Sequence, residues 1–250
     1  HLINDNDNGQ GNNSDVFYSE LQTQHPGGWG IEGMALTTGF VHQYTISESE
    51  LYMGGDQGGV NTARNIASYM QLDQPVTDQF NLSIGIRYEH FVINDESEGK
   101  PVFRAGANYQ AAEETYIRGS FGEGFRFPTI AEKYIRTGLG QLQVYPNQDI
   151  QSESSTSLEL GVKQGVKVGG FMGYLDVAIF QQRYTNFIEF TFGSWGESEG
   201  IDNLFGLGFK SLNTGESQVR GAEISLMGQA KWGNNNQHSL DLLTGYTYTN

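Results

Sequence analysis

Through most of this chain the side chains change character at every second residue, and the polar set includes charges. Phe80, Leu82, Ile84, Ile86 and Tyr88 fall on one face of an extended segment, with Asn81, Ser83, Arg87 and Glu89 on the other. Phe103, Ala105, Ala107 and Tyr109 oppose Arg104, Asn108 and Gln110, and Ala222, Ile224 and Leu226 oppose Glu223 and Ser225. Leu158, Leu160 and Val162 oppose Glu159 and Lys163, while Leu240, Leu242, Tyr246 and Tyr248 oppose Ser239, Asp241 and Thr247. Period-two patterning of this kind is the signature of β-strands with two unlike environments. A soluble barrel would bury its inner face, and unpaired Arg87, Glu89, Arg104 and Glu223 inside it would be costly. A wide membrane barrel avoids the conflict: apolar faces meet lipid, and charged faces meet an aqueous or plugged lumen.

The breaks between strands add a second constraint. Strands read near 15–24, 30–46, 63–74, 79–93, 101–111, 115–122, 154–165, 170–190, 217–231 and 238–250. The gaps between them run short, long, short, medium, short, long, short, long, short, with the medium one at 94–100 and the longest at 123–153. Up-and-down outer-membrane barrels have this asymmetry, with tight periplasmic turns at one end and long external loops at the other. A two-sheet sandwich with polar outer faces would not require that parity. The segment 63–74 is the least regular, because Ala67 and Tyr69 compete with Met70 and Leu72 for the apolar face. Tyr88, Tyr109, Tyr246 and Tyr248 stand near strand ends, where interfacial aromatic belts belong. Gly is the most frequent residue at 34, against 5 Pro, and no run of 18 apolar residues exists to form a membrane helix.

Charge and residue usage narrow the function. A net charge of −15 excludes a nucleic-acid partner, whose phosphates need a basic surface. Without cysteine there are no disulfides and no thiolate metal sites. His1 opens a polar run, not a leader, so an outer-membrane chain like this implies a leader removed by processing or lying upstream in a longer protein. Asn4, Asn6, Asn8, Gly9 and Asp15 match part of a calcium-loop spacing, but Asn replaces the usual carboxylates and flanking helices are missing, so a flexible polar loop is the simpler reading. The five His residues are scattered, and neither a Gly-x-Ser-x-Gly elbow nor a phosphate loop occurs. His238, Ser239 and Asp241 lie together beside a tight turn, where turn chemistry accounts for them. No cofactor or metal is expected.

The stretch from 116 to 163 carries a resemblance. Gly124-Phe125-Arg126-Phe127-Pro128-Thr129, Ala131-Glu132-Lys133-Tyr134, Tyr145-Pro146-Asn147-Gln148, Ser152-Glu153-Ser154-Ser155 and Leu158-Glu159-Leu160-Gly161 follow one another there. In that order they resemble the β-barrel of TonB-dependent outer-membrane receptors. Pro146 precedes Asn147 instead of following it, and Gln151-Ser152 stands where Lys-Pro is common, which leaves the loop conformation open. Ile84-Gly85-Ile86-Arg87-Tyr88, Asn213-Thr214-Gly215 with Val219-Arg220-Gly221-Ala222-Glu223, and Gly245-Tyr246-Thr247-Tyr248 are further matches in family order. The motif style is similar to that of Bacteroidetes-type receptors. The resemblance implies an all-β, antiparallel up-and-down transmembrane barrel of 22 strands, of which about ten are seen here. It also implies an N-terminal plug domain, with plug and final strands outside this chain, so that residues 1–250 are part of one barrel domain.

By the same resemblance the protein is a non-catalytic receptor of a Gram-negative outer membrane. It would import a scarce nutrient (siderophore, cobalamin, haem or oligosaccharide) with energy from the TonB complex, amid outer-membrane lipids and, in some systems, with a surface lipoprotein. The other readings are a barrel that docks a lipoprotein or secretion component, and a barrel enzyme. Candidate ligand contacts lie in the external loops. Arg126 either faces a ligand anion or pairs with Glu123 or Glu132. Trp195, Phe192 and Phe205 form an aromatic set suited to stacking on a sugar or a flat ligand. Acidic loops at 47–61, 94–99 and 192–213 would repel anionic siderophores and suit neutral or cationic ligands; facing lipopolysaccharide through bridging cations is an equally good reason for their charge.

Overall fold

The computed structural model describes residues 11–27, 30–53, 59–139, 142–196 and 206–250. Ten strands form one sheet: β1 (Asn12–Pro26), β2 (Ala35–Ser49), β3 (Val60–Thr77), β4 (Phe80–Ile93), β5 (Glu96–Ala112), β6 (Thr115–Arg126), β9 (Glu153–Val168), β10 (Phe171–Thr185), β13 (Ser217–Trp232) and β14 (His238–Thr249). They are hydrogen-bonded in chain order, and every neighbouring pair is antiparallel. This is an up-and-down wall. The connections at 78–79, 113–114, 169–170 and 233–237 are tight, while 127–152 and 186–216 are long and share the opposite end.

Register turns the alternation into two surfaces. Phe80, Tyr109, Ile117, Val162, Val177, Ile224 and Tyr246 form one unbroken row across seven strands. Most of these large apolar groups are exposed; Ile224, for example, is 45% exposed, which suits a surface facing hydrocarbon. On β3, the face shared with Ile84 and Ile86 carries Met70 and Leu72, whereas Ala67 and Tyr69 point the other way. That settles the irregular segment: Ala67 is small and buried on the inner side, and Tyr69 is committed to a polar network there.

The inner face is held by polar side chains that span strands. Arg118 on β6 reaches across β9 to Asp176 on β10, at 2.7 and 2.9 Å, and bonds Glu159 at 3.1 Å. The path runs over Gly161, where a Cβ would stand 2.7 Å from the guanidinium carbon. Tyr69 on β3 does the same over Gly39 of β2, donating toward Glu20 at 2.8 Å and Gln22 at 2.7 Å on β1. Arg87 covers the Tyr69 ring at 5.4 Å and pairs with Glu89. The Arg118 and Arg87 ion pairs are partly hydrated, so each is worth at most about 1 kcal/mol. They set geometry more than stability.

Three expectations are corrected. The medium break at 94–100 is a two-residue turn, since Ile93 pairs with Glu96. Asn94 adopts φ 49°, which Asn tolerates, and its side chain accepts from Thr62 N at 3.0 Å. The segment 170–190 is two strands, broken at Asn186 with φ 55°. Strand β2 begins at Ala35, well after residue 30. Asp15 lies in β1 opposite Ile46, and the other calcium-spaced positions (4, 6, 8 and 9) lie outside the described residues.

Candidate functional site

The long connections build a second layer at the open end of the wall. It comprises helix α1 (Ile130–Tyr134) and strands β7 (Thr137–Leu139), β8 (Leu142–Tyr145), β11 (Ile188–Ser194) and β12 (Leu207–Asn213). The four strands form their own sheet in the order β11-β12-β8-β7, with β12 and β8 parallel.

Thr129 caps α1. Its hydroxyl accepts from Glu132 N at 3.2 Å, and the Glu132 carboxylate accepts from Thr129 N at 2.8 Å, a capping box that lets a one-turn helix form. Arg126 donates to both Glu132 oxygens at 3.0 and 2.9 Å and to Glu153 at 3.2 Å. The same Glu153 oxygen accepts from Ile188 N at 3.1 Å. One guanidinium thus ties the end of β6 to α1, to the start of β9 and to the start of β11.

Lys133 is 1% exposed and donates to Glu96 at 2.6 Å, beside the Phe127 ring. Its carbonyl receives Asn147 N at 3.0 Å. Ile130 and Tyr134 pack with Ile93 against Tyr52, Ala63 and Phe127, so the long connection folds inward over the polar face of the wall. Burial pushes the Tyr134 phenol above its ordinary value; Glu96 and Asp95 add to this, against a hydrogen bond with Asn94. Backbone bonds from Met53 N to Tyr134 O (2.7 Å) and from Arg136 N to Leu51 O (2.6 Å) secure the neighbouring connection.

On the other flank Asn213 stands in for a strand partner. It accepts from Gln151 N at 2.8 Å and donates to the carbonyls of Gln151 (2.9 Å) and Asn186 (2.8 Å). Two clefts result. One, of about 570 Å³, lies between Glu96, Glu98, Lys133, Asp149, Gln151 and Asn186. The other, of about 370 Å³, lies between Gln43, Asn65 and Phe91 of the wall and Phe127–Ala131. Their lining mixes carboxylates and amides with Phe91 and Phe127, whose rings stack at 5.9 Å.

The sequence-derived aromatic set is divided by the hairpin β11–β12. Phe192 shares a face with Phe190 and Phe209: Phe209 stacks on Phe190 at 5.1 Å and meets Phe192 edge-on at 5.2 Å. Trp195 folds back over Gly193, on the alternate face, and its indole donates to Gly208 O at 3.2 Å. Phe205 lies outside the described residues. Phe190 and Phe209 were missed, although the alternation Phe190-Thr191-Phe192 signals a shared face. His238, Ser239 and Asp241 form no catalytic set. His238 stacks on Trp232, whereas Asp241 accepts from Gln229 at 2.7 Å on the opposite face.

A ten-stranded antiparallel wall with an apolar outside, a polar inside and folded loops at one end defines the class: a membrane-spanning β-barrel wall with a folded loop layer at one end. The description "TonB dependent receptor-like, beta-barrel" matches residues 2–250, and the chain belongs to that family. It is 29% identical over 110 residues to the hemoglobin and hemoglobin-haptoglobin-binding protein A of Haemophilus influenzae, covering 44% of this chain and 10% of that protein. The fold resembles the siderophore receptor PirA of Pseudomonas aeruginosa, with TM-score 0.71 at 14% identity over 94% of this chain and 43% of that one. It also resembles the Serratia marcescens hemophore receptor HasR, solved with its hemophore HasA and heme, with TM-score 0.67 at 14% identity over 86% of this chain and 39% of that one. The chain spans about a tenth of the length of the curated relatives it matches.

Proposed function

We propose that this chain is the wall and external-loop portion of an active-transport receptor in the outer membrane of a Gram-negative bacterium. The receptor binds a scarce nutrient outside and imports it with energy from the TonB complex. The family match over residues 2–250 carries the reading. In this reading an N-terminal plug domain and the final strands of the same barrel lie in the rest of the protein.

Relatives named for haemoglobin, haem and siderophores favour an iron carrier as cargo. Arg126 acts as the anchor of the binding layer, because its donors are already engaged by Glu132 and Glu153. Cargo contact falls to the acidic cleft at Glu96, Glu98 and Asp149 and to the aromatic groups of β11–β12, including Phe192 and Trp195, with Phe205 near them in sequence. The chemistry is binding and release, without a covalent step.

Growth of a strain carrying the full-length receptor on haemin, haemoglobin or ferric siderophores as sole iron source tests this. The account expects at least one of these to support growth only when receptor and TonB are both present. Growth independent of both on every iron source would sink the iron-import reading. Co-purification of a surface lipoprotein, with no uptake, would favour the docking alternative.

A further inference from the structure

The outward face of the wall carries one feature that nutrient import does not use. On β9, β10, β13 and β14 every outward position from the tight-turn end up to Leu158, Ile179 and Ala222 is uncharged apart from His238 at the margin. Beyond that line two cations stand side by side. Arg183 of β10 faces Gln218 of β13, and Arg220 of β13 faces Gln181 of β10. The two arginines are therefore diagonal neighbours, with backbones about 7–8 Å apart. Both are exposed. Arg220 donates to the Gln218 amide oxygen at 3.1 Å.

Neither arginine belongs to an ion pair among the described residues. No acidic side chain points outward on these four strands. The nearest one in the row is Glu123 on β6, two strands from Arg183 and about 10 Å away, and its carboxylate accepts from Phe103 N at 3.0 Å. Two adjacent cations with no anionic partner among the described residues repel each other, in a chain whose net charge is −15.

Height tells what would neutralise them. The apolar run Phe171–Ile179 covers about 27 Å along the strand, or about 20 Å of the membrane normal at a tilt of about 40°. An apolar belt about 25 Å tall therefore ends near Gln181, which puts Arg183 and Arg220 at headgroup level on the external side. Guanidinium pairs bind phosphate through two parallel N–H bonds each, and the flanking glutamine amides can complete such a cradle.

We propose that Arg183 and Arg220, with Gln181 and Gln218, bind the phosphate of a phosphorylated lipid headgroup in the outer leaflet. The site rests on the reading of this face as membrane-facing but not on the cargo. Full-length receptor is placed in nanodiscs of phosphatidylcholine containing either bisphosphorylated lipid A or its dephosphorylated form, and lipid retention is read by native mass spectrometry. The wild type should retain the phosphorylated lipid and not the dephosphorylated one, and added inorganic phosphate should not displace it. R183Q/R220Q should retain about tenfold less, and each single variant about threefold less. K163Q, which removes an inward cation, should match the wild type. Heat-modifiable migration on gels reports barrel assembly, and the single variants decide the matter if the double variant does not assemble. Equal retention by wild type and the arginine variants, or equal loss in K163Q, overturns the site. Retention of both lipid forms or displacement by inorganic phosphate overturns the lipid-phosphate assignment. Iron-source growth is a separate readout, so failure here and failure of the import reading are distinguishable.

Discussion

The wall and the loop layer that folds over it are organised by different forces. In the wall, a continuous backbone ladder fixes every strand, and side chains only choose a face: Val162 meets Ile117 and Val177 because register puts them there. In the layer, short pieces with little ladder of their own are fastened by individual side chains. Arg126, Lys133, Asn147 and Asn213 each bind backbone or charge on a different element. The wall is therefore sensitive to what a side chain is, and the layer to which atom it offers.

The largest effect should come from breaking the wall's outer face. Arginine at Val162 or Val177 faces hydrocarbon at mid-belt and should cost about 2–4 kcal/mol, enough to abolish heat-modifiable barrel in membranes. The same replacement at Ser157, on the wet face, should leave assembly intact. Next comes N213A, which removes three bonds from the layer, two to the exposed Gln151 backbone and one to the part-buried Asn186 carbonyl. It should loosen 150–152 and 186–188 by roughly 1–3 kcal/mol, seen as faster hydrogen exchange there while β9 and β10 stay protected. K133M should cost somewhat less, about 1–2 kcal/mol, because Glu96 is half exposed and water can take over its charge. Faster proteolysis within 129–136 checks it.

Two smaller effects sharpen the contrast. G161A places a methyl under the Arg118 guanidinium, whose end can move, so the reach to Asp176 is lost for about 1 kcal/mol or less without loss of barrel. A urea midpoint shift of the full receptor, repeated with D176N to show non-additivity, measures it. Finally, the raised Tyr134 phenol gives the layer an alkaline limit. Protonated Tyr134 keeps its buried seat, so docking is unaffected below about pH 10.0 and weakens as pH climbs through the raised value. Absorbance titration should show the late-ionising tyrosine signal fall by one group in Y134F.

The same contrast explains what the sequence disclosed. Strand positions and faces in the wall were legible because lipid and lumen impose period two on each residue. The turn at Asn94 was not, since β5 begins with Glu96-Ser97-Glu98, whose carboxylates bond Lys133 and Ser152 of the loop layer, and that polar stretch reads as loop. The break at Asn186 was hidden for a related reason: Ile188, Phe190 and Phe192 continue an alternation that belongs to a different sheet. Within the layer, pairing of Arg126 with Glu123 or Glu132 was one of the two readings the sequence offered for that residue, and Glu132 is the partner of the two. Its second partner Glu153, and Asn213 acting as backbone, depend on long-range contacts that local spacing cannot carry. The division of Phe192 from Trp195 followed from Gly193, which lets the indole fold back.

The central claim is that alternate residues of these strands face hydrocarbon and water. These 250 residues contain no cysteine, so single cysteines placed from 157 to 163 can each carry one spin label. In full-length receptor in nanodiscs, the account predicts high oxygen accessibility at 158, 160 and 162 and high accessibility to a water-soluble nickel chelate at 157, 159 and 163, with 161 left out because it lies under the Arg118 guanidinium. Uniform protection of both series, or accessibility with a period of 3.6, would contradict it.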